Sequence, residues 1–316
     1  MRFKSLCAAL SILLLVHAAS LLPPFIFSLL SQDGQTINFG GLLFSELFIG
    51  GILWLKFRRM ELRLRTRDGF LIVAFMWLLI SMIGAIPFML CIGQSPVDAV
   101  FESVSGFTTT GATSLTALEA MDRSILFYRQ EIQWIGGIGV IVSAMALFPM
   151  LGVGGMQLLK AETPGPIKNE KLTPRLQQTV LIIWEVYLLM TIGCALMYWL
   201  ADMPLFDAVA HSLTTVSTGG FSTHDSSLGY FDSPAIEFVA MVFMVLGSIN
   251  FGLHFTALRK LNLWPYLRSE EVRALLGVLS VASIFVAGML CLTDTIPSWL
   301  DSIRYSTFQV VSVMTS

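Results

Sequence analysis

Residues 98–113 read DAVFESVSGFTTTGAT, and residues 207–221 read DAVAHSLTTVSTGGF. Both open on Asp-Ala-Val, share a serine (Ser103, Ser212) and close on Thr-Gly, with one residue of slip between the two ends. A third stretch, FQVVSVMTS (308–316), matches FESVSGFTT (101–109) without a gap in a Phe, a Ser and a Thr. Each copy lies just after a proline and an acid. In the first, Ser95-Pro96-Val97-Asp98 has the form of a helix start, with Ser as N-cap, Pro at the first helical position and an acid at the third. A short helix that runs into Thr and Gly between two long apolar stretches reads as a re-entrant loop. Recurrence at a spacing of roughly 100 residues, always in the same orientation, reads as a parallel repeat around an axis along the membrane normal.

The rest of the chain supports a membrane setting. Of its 316 residues 55% are hydrophobic and only 13% charged, and the mean hydropathy is +0.76. Soluble domains carry about 25% charged residues, so this composition belongs in a bilayer. Apolar stretches predict seven spans, at 5–30, 39–55, 69–93, 132–158, 176–200, 238–258 and 274–293. The first is read as a retained span and not as a cleaved signal. Two spans hold one acid each, Glu46 and Glu185, both expected at the membrane interface. Sixteen of the nineteen Lys and Arg residues fall in alternate loops, and only Arg123, Arg129 and Arg304 lie opposite. The positive-inside rule then places the N-terminus in the cytoplasm and Ser316 on the outer side.

A cation leaves water only when oxygen atoms replace its hydration shell, and backbone carbonyls are the usual substitute. Glycine opens backbone conformations closed to other residues, and threonine adds a hydroxyl acceptor without a charge. Thr108, Thr109, Thr110 and Gly111 fit this role, as do Ser217, Thr218 and Gly219, with Ala112 and Gly220 flanking them. The short helices before them would aim their negative dipole ends at the ion. Asp98, Glu102, Asp207 and Asp301 are expected either to concentrate cations at the mouth or to cap helices. Arg129 and Glu131, beside Gln130, read either as an outer polar cluster or, more simply, as a solvated helix start, and Gly136, Gly137 and Gly139 as a small-residue packing face. GVGG (152–155) follows no strand and so does not read as a nucleotide loop. Lys168, Lys171 and Arg175 read equally well as a contact for a cytoplasmic regulator and as a solvated face that follows the charge asymmetry. His211, His224 and His254 are too scattered for a metal site, and Cys7, Cys91, Cys194 and Cys291 stand singly as packing residues. No nucleophile–base pair lies within the spans, which argues against an enzyme, and the uniform repeat orientation argues against an inverted-repeat transporter.

FESVSGFTTTGAT, FYRQEIQWIGGIGVIV (127–142), LGVGGMQLLKAETPGP (151–166) and GGFSTHDSSLGYFDSP (219–234) together resemble the TrkH subunits of bacterial Trk potassium-uptake systems, within the Trk/Ktr/HKT superfamily. The resemblance covers the whole chain. It implies an all-α polytopic membrane protein of M1–pore loop–M2 units preceded by two extra helices. The expected division is 1–60 for those two helices, 61–160 and 161–265 for two complete units, and 266–316 for the start of a third. The resemblance further implies potassium as the substrate without a covalent cofactor, and single-glycine filter loops at Thr110-Gly111 and Thr218-Gly219. An inner-membrane homodimer and a cytoplasmic, nucleotide-binding TrkA regulator are implied as well. On the repeat register the two positions after Ser316 would match Thr110 and Gly111. The chain is accordingly expected to be C-terminally truncated, lacking a fourth unit and inactive alone. The alternatives are a non-transporting remnant, a half-protein completed by a separately encoded chain, and a sodium–potassium transporter.

Overall fold

The computed structural model describes residues 3–58, 66–147, 172–293, 295–296 and 298–315. Among these the secondary structure is helical, with no strand. The reading at GVGG (152–155) lies outside the described residues, as do those at Lys168 and Lys171 and, for its side chain, Arg175. Two compact units emerge. The first comprises Met1–Met156 with Phe221–Ser227, and the second Gln157–Gly220 with Leu228–Ser316.

In the first unit, α1 (Phe3–Ser20) and α2 (Leu22–Ser31) form one span with a break at Leu21, just before Pro23-Pro24. A left-handed Gln32 turns the chain into α3 (Thr36–Phe57), which packs along α1. The turn is held by Asp33, which accepts hydrogen bonds from Ser28 Oγ, Gln35 N at 3.2 Å and Ser124 N at 3.3 Å. Then follow α4 (Thr66–Gly84), α5 (Ile86–Ile92), α6 (Pro96–Phe107) and α7 (Arg123–Leu147). Ser95 caps α6 as the sequence predicts, accepting from Asp98 N at 3.2 Å, a contact worth about 1 kcal/mol. The core of this unit gathers Leu21 from the break between α1 and α2, Phe39 from α3, Phe88 from α5, Phe107 from α6, and Tyr128 and Ile132 from α7.

In the second unit, α8 (Leu172–Leu200) leads to α9 (Leu205–Val216), then α10 (Pro234–Ser248) and α11 (Phe251–Lys260). A short α12 (Trp264–Arg268) precedes α13 (Glu270–Leu292) and α14 (Trp299–Thr315). Apolar side chains on α13 face outward: Val281 and Ile284 are each 70% exposed. Such a surface suits hydrocarbon as its solvent.

Among the described residues, five helices are long and apolar enough to cross a membrane: Cys7–Ser31, Thr36–Phe57, Phe70–Ile92, Val180–Leu200 and Glu270–Leu292. The span expected at 132–158 is described only as far as Leu147. Two expectations are corrected. The stretch 238–258 is not one straight span, because α10 and α11 meet at 104°. Ile249 and Asn250 leave the helix, the Asn250 side chain caps α11 by accepting from Gly252 N at 2.8 Å, and His254 Nε2 donates to the carbonyl of Leu246 at 2.9 Å. Nor is Glu46 interfacial. It lies midway along α3, is 6% exposed and meets His17 Nδ1 at 2.7 Å. Glu185, by contrast, is exposed near the start of the span Val180–Leu200.

Candidate pore-loop site

The first pore helix, α6, ends in a left-handed stop. Thr109 N donates to Gly106 O at 3.0 Å and Thr110 N to Ser105 O at 2.9 Å, the paired bonds of a Schellman cap. The residue in the left-handed position is Thr109, with φ of 55°, and Gly111 follows at 77°. A β-branched residue in that conformation costs about 1–2 kcal/mol. The Thr108 hydroxyl reaches Val104 O at 2.7 Å and Thr110 Oγ1 at 2.8 Å. Among the described residues, the backbone carbonyls of Thr108, Thr109, Thr110 and Gly111 accept no hydrogen bond. Four carbonyl oxygens in sequence, together with the Thr hydroxyls, are chemically suited to replace the water around a monovalent cation.

The second pore helix, α9, ends in the same way. Thr218 N donates to Thr215 O at 3.1 Å and Gly219 N to Thr214 O at 2.8 Å, with φ of 53° at Thr218 and 83° at Gly220. Each feature recurs 109 residues after its counterpart. Thr108 therefore corresponds to Ser217, Thr109 to Thr218, Thr110 to Gly219 and Gly111 to Gly220. This register moves the sequence alignment by one residue, which had paired the Thr-Gly dipeptides 110–111 and 218–219. Backbone conformation assigns the glycine of the second loop to Gly220. The slip between the two ends of the aligned loops disappears with it, since Asp98 and Asp207 are also 109 apart.

The helices that follow the loops carry glycines where the pore helices end. A Cβ at Gly136 of α7 would overlap the carbonyl of Phe107, and one at Gly247 of α10 would lie 2.8 Å from that of Val216. Gly136 therefore seats the end of the pore helix, and Gly139 contacts Trp77. The equivalence of Gly247 was not apparent from sequence, because the second helix lacks the GGxG run.

Glu102 does neither of the things expected of it. Fully buried, its carboxylate accepts from Arg129 Nε at 2.6 Å, Thr113 Oγ1 at 2.8 Å and Ser114 N at 3.2 Å. Arg129 is 1% exposed, so the solvated helix start is also corrected. Its Nη1 donates to Ser222 O at 2.7 Å, and its guanidinium stacks 3.7 Å from the centre of the Phe221 ring. The pair thus fastens the segment leaving the first loop to residues 221–222. Nearby, Asp225 accepts from Ala117 N at 2.8 Å and Leu118 N at 3.1 Å, and Phe221 N donates to Gln133 Oε1 at 3.0 Å. These long-range partners carry no local sequence signature.

At the position of Glu102 the second loop has His211, buried, with Nδ1 donating to Asp207 O at 2.9 Å. The Tyr198 hydroxyl holds Thr215 Oγ1 at 2.7 Å. Helix α14, where the sequence leads one to expect the start of a third unit, has 17 residues against 12 in α6 and α9. It is fastened by Arg304, whose Nε and Nη2 donate to Glu237 at 2.7 and 2.8 Å. Asp98 accepts from the Ser95 hydroxyl at 2.7 Å, in keeping with a capping role. His254 pairs with Tyr266, and no group of His, Cys, Asp and Glu fit for a metal ion occurs among the described residues.

The family model described as "TrkH: Cation transport protein" matches residues 36–314. Over 320 residues the chain is 42% identical to the Trk system potassium uptake protein TrkH of Salmonella typhimurium, covering all of this chain and 66% of that one. TrkG of Escherichia coli is 41% identical over 277 residues, covering 86% of this chain and 57% of its own. The crystal structure of the potassium transporter TrkH from Vibrio parahaemolyticus superposes with a TM-score of 0.89 at 38% identity, over 99% of this chain and 64% of that one. The chain thus spans between 57% and 66% of the length of these relatives. On the matched residues, the repeated pore-helix caps and the superposition alike, this multi-pass, all-α membrane protein belongs to the TrkH cation transport family.

Proposed function

We propose that this protein forms part of a potassium-conducting pore in a Trk-type uptake system of the bacterial inner membrane. Thr110 and Gly111 supply ion-binding oxygens in the first loop, as do Thr218, Gly219 and Gly220 in the second. Thr108, Thr109, Ala112 and Ser217 shape the approach. The observation that carries this reading is the run of uncommitted carbonyls at 108–111 behind a strained threonine, a stop that recurs at 218. Strain held at the same place in two loops points to function. Potassium passes down its electrochemical gradient without covalent chemistry. The names of the relatives support potassium as the ion. Family membership supports a homodimer with a cytoplasmic TrkA-type regulator, and the charge asymmetry supports a cytoplasmic N-terminus.

Rubidium uptake by a potassium-uptake-deficient bacterium tests the proposal. The chain is expressed as a chimera extended by the last third of the Salmonella relative. Uptake by the chimera is expected, together with reduced rubidium-over-sodium preference after Gly111→Ser or Gly220→Ser. A transporting chimera whose preference survives both substitutions would refute the assignment of these loops.

A further inference from the structure

His17, in the last turn of α1, and Glu46, midway along α3, lie 29 residues apart and went unconnected in the sequence. Both are buried, His17 at 1% and Glu46 at 6% exposure, with Nδ1 and Oε2 separated by 2.7 Å. On the other side of the ring, Nε2 is 3.2 Å from the Tyr128 hydroxyl, which donates its hydrogen to Gly84 O at 2.9 Å. A carbonyl can only accept, and a phenol has one hydrogen to give. Nε2 must therefore carry a hydrogen and donate it to Tyr128. The contact between Nδ1 and Oε2 then requires one further proton, whether it rests as imidazolium with carboxylate or as imidazole with carboxylic acid. Without that proton two lone pairs would face each other at 2.7 Å. Among the described residues Glu46 Oε1 has no hydrogen-bond partner, so none of them offers a second donor to hold the carboxylate in its charged form.

We propose that His17 and Glu46 form an intramembrane proton-binding site that holds one shared proton. The surrounding elements bring few competing charges. Neither α2 nor the part of α4 from Phe70 to Gly84 has a titratable side chain, and α5 contributes only Cys91. On α6, Asp98 sits at the helix start and Glu102 is committed to Arg129. From α7 come Arg123, Tyr128, Arg129 and Glu131. On α3 the only other charged group is Lys56, in the last turn. The site also touches the pore helix. A Cβ on Gly84 would meet Phe107 Cε2 at 2.5 Å, and the His17 and Phe107 rings are 6.3 Å apart. Phe107 is the last residue of α6, so occupancy by the proton is linked to the seating of the first loop. With the proton the pair is neutral. Loss of the proton at high pH leaves a buried negative charge and parts α1 from α3, so the stability it supplies disappears as pH rises.

Melting curves of the purified chain in detergent, from about pH 6 to 10, test this with Glu46→Gln as the comparison. A glutamine amide donates to Nδ1 without a titrating proton. The melting temperature of the wild type is expected to fall relative to that of the variant as pH rises. Parallel curves would overturn the proposal. Nitrogen NMR of histidine-labelled wild type supplies a second readout, with His17 assigned through its proximity to the Tyr128 ring. Nε2 should be protonated wherever the fold persists. An unprotonated Nε2 at neutral pH would overturn the shared proton, because a neutral imidazole would then donate to an ionised Glu46.

Discussion

Replacing Glu102 by Gln leaves the Arg129 guanidinium buried beside an uncharged amide. The carboxylate takes bonds from Arg129 Nε at 2.6 Å, from Thr113 Oγ1 at 2.8 Å and from Ser114 N at 3.2 Å, and it is wholly shielded from solvent. Hydrogen bonds involving a charged group contribute about 1.5–3 kcal/mol each. Breaking a buried pair from one side costs about 3–5 kcal/mol, because the remaining charge has no compensation. At roughly 2–4 °C per kcal/mol for a unit of this size, the melting temperature should drop by about 6–20 °C. The double variant Glu102→Gln/Arg129→Gln buries no charge and should lose less than the two single variants together. Light-scattering melts of the four proteins in one detergent measure the cycle. A single-variant loss under about 2 °C, or strict additivity, would refute the view that the pair holds residues 113–114 against 221–222.

Gly220→Ala should impair rubidium uptake by the chimera far more than Gly219→Ala, since only Gly220 has a positive φ; equal effects would restore the dipeptide register. Gly247→Ala should destabilise the second unit by about 1–3 kcal/mol through overpacking against Val216 O, seen as a lower melting temperature. Burial alone would raise the Asp33 carboxyl, but hydrogen bonds from Ser28, Ser124 and Gln35 hold it below its ordinary value. Its contribution is therefore present above the unfolded pKa and lost as pH falls through the lower folded one. Melting curves taken below about pH 4 should fall more steeply for the wild type than for Asp33→Asn.

Much of this architecture was legible because a bilayer leaves a coarse imprint. Long charge-free stretches mark most of α1 and α13, an apolar run interrupted only by Glu46 marks α3, and the Asp-Ala-Val openings of α6 and α9 mark the repeat. What escaped reading depends on backbone torsion or on distant partners. A Thr-Gly dipeptide looks alike at 110–111 and 218–219, yet the left-handed residues are Thr109 and Thr218. The composition of 238–258 is that of any span, and the bend follows from a local exchange of bonds at Asn250 and His254. Glu102 resembled a mouth acid until Arg129, 27 residues away, was seen to neutralise it.

Segment Phe221–Ser227, grouped with the first unit, also bears on the order of biosynthesis. A ribosome releases Ala117 and Leu118 long before Asp225, which accepts their N–H groups, and Arg129 long before Ser222, its carbonyl partner. At about 5–20 residues per second, the wait is roughly 5–20 s. During that interval the first loop lacks its outer fastening, and the second pore helix must be made before the first unit can close. The packing of the first loop is therefore completed by a stretch translated after the second.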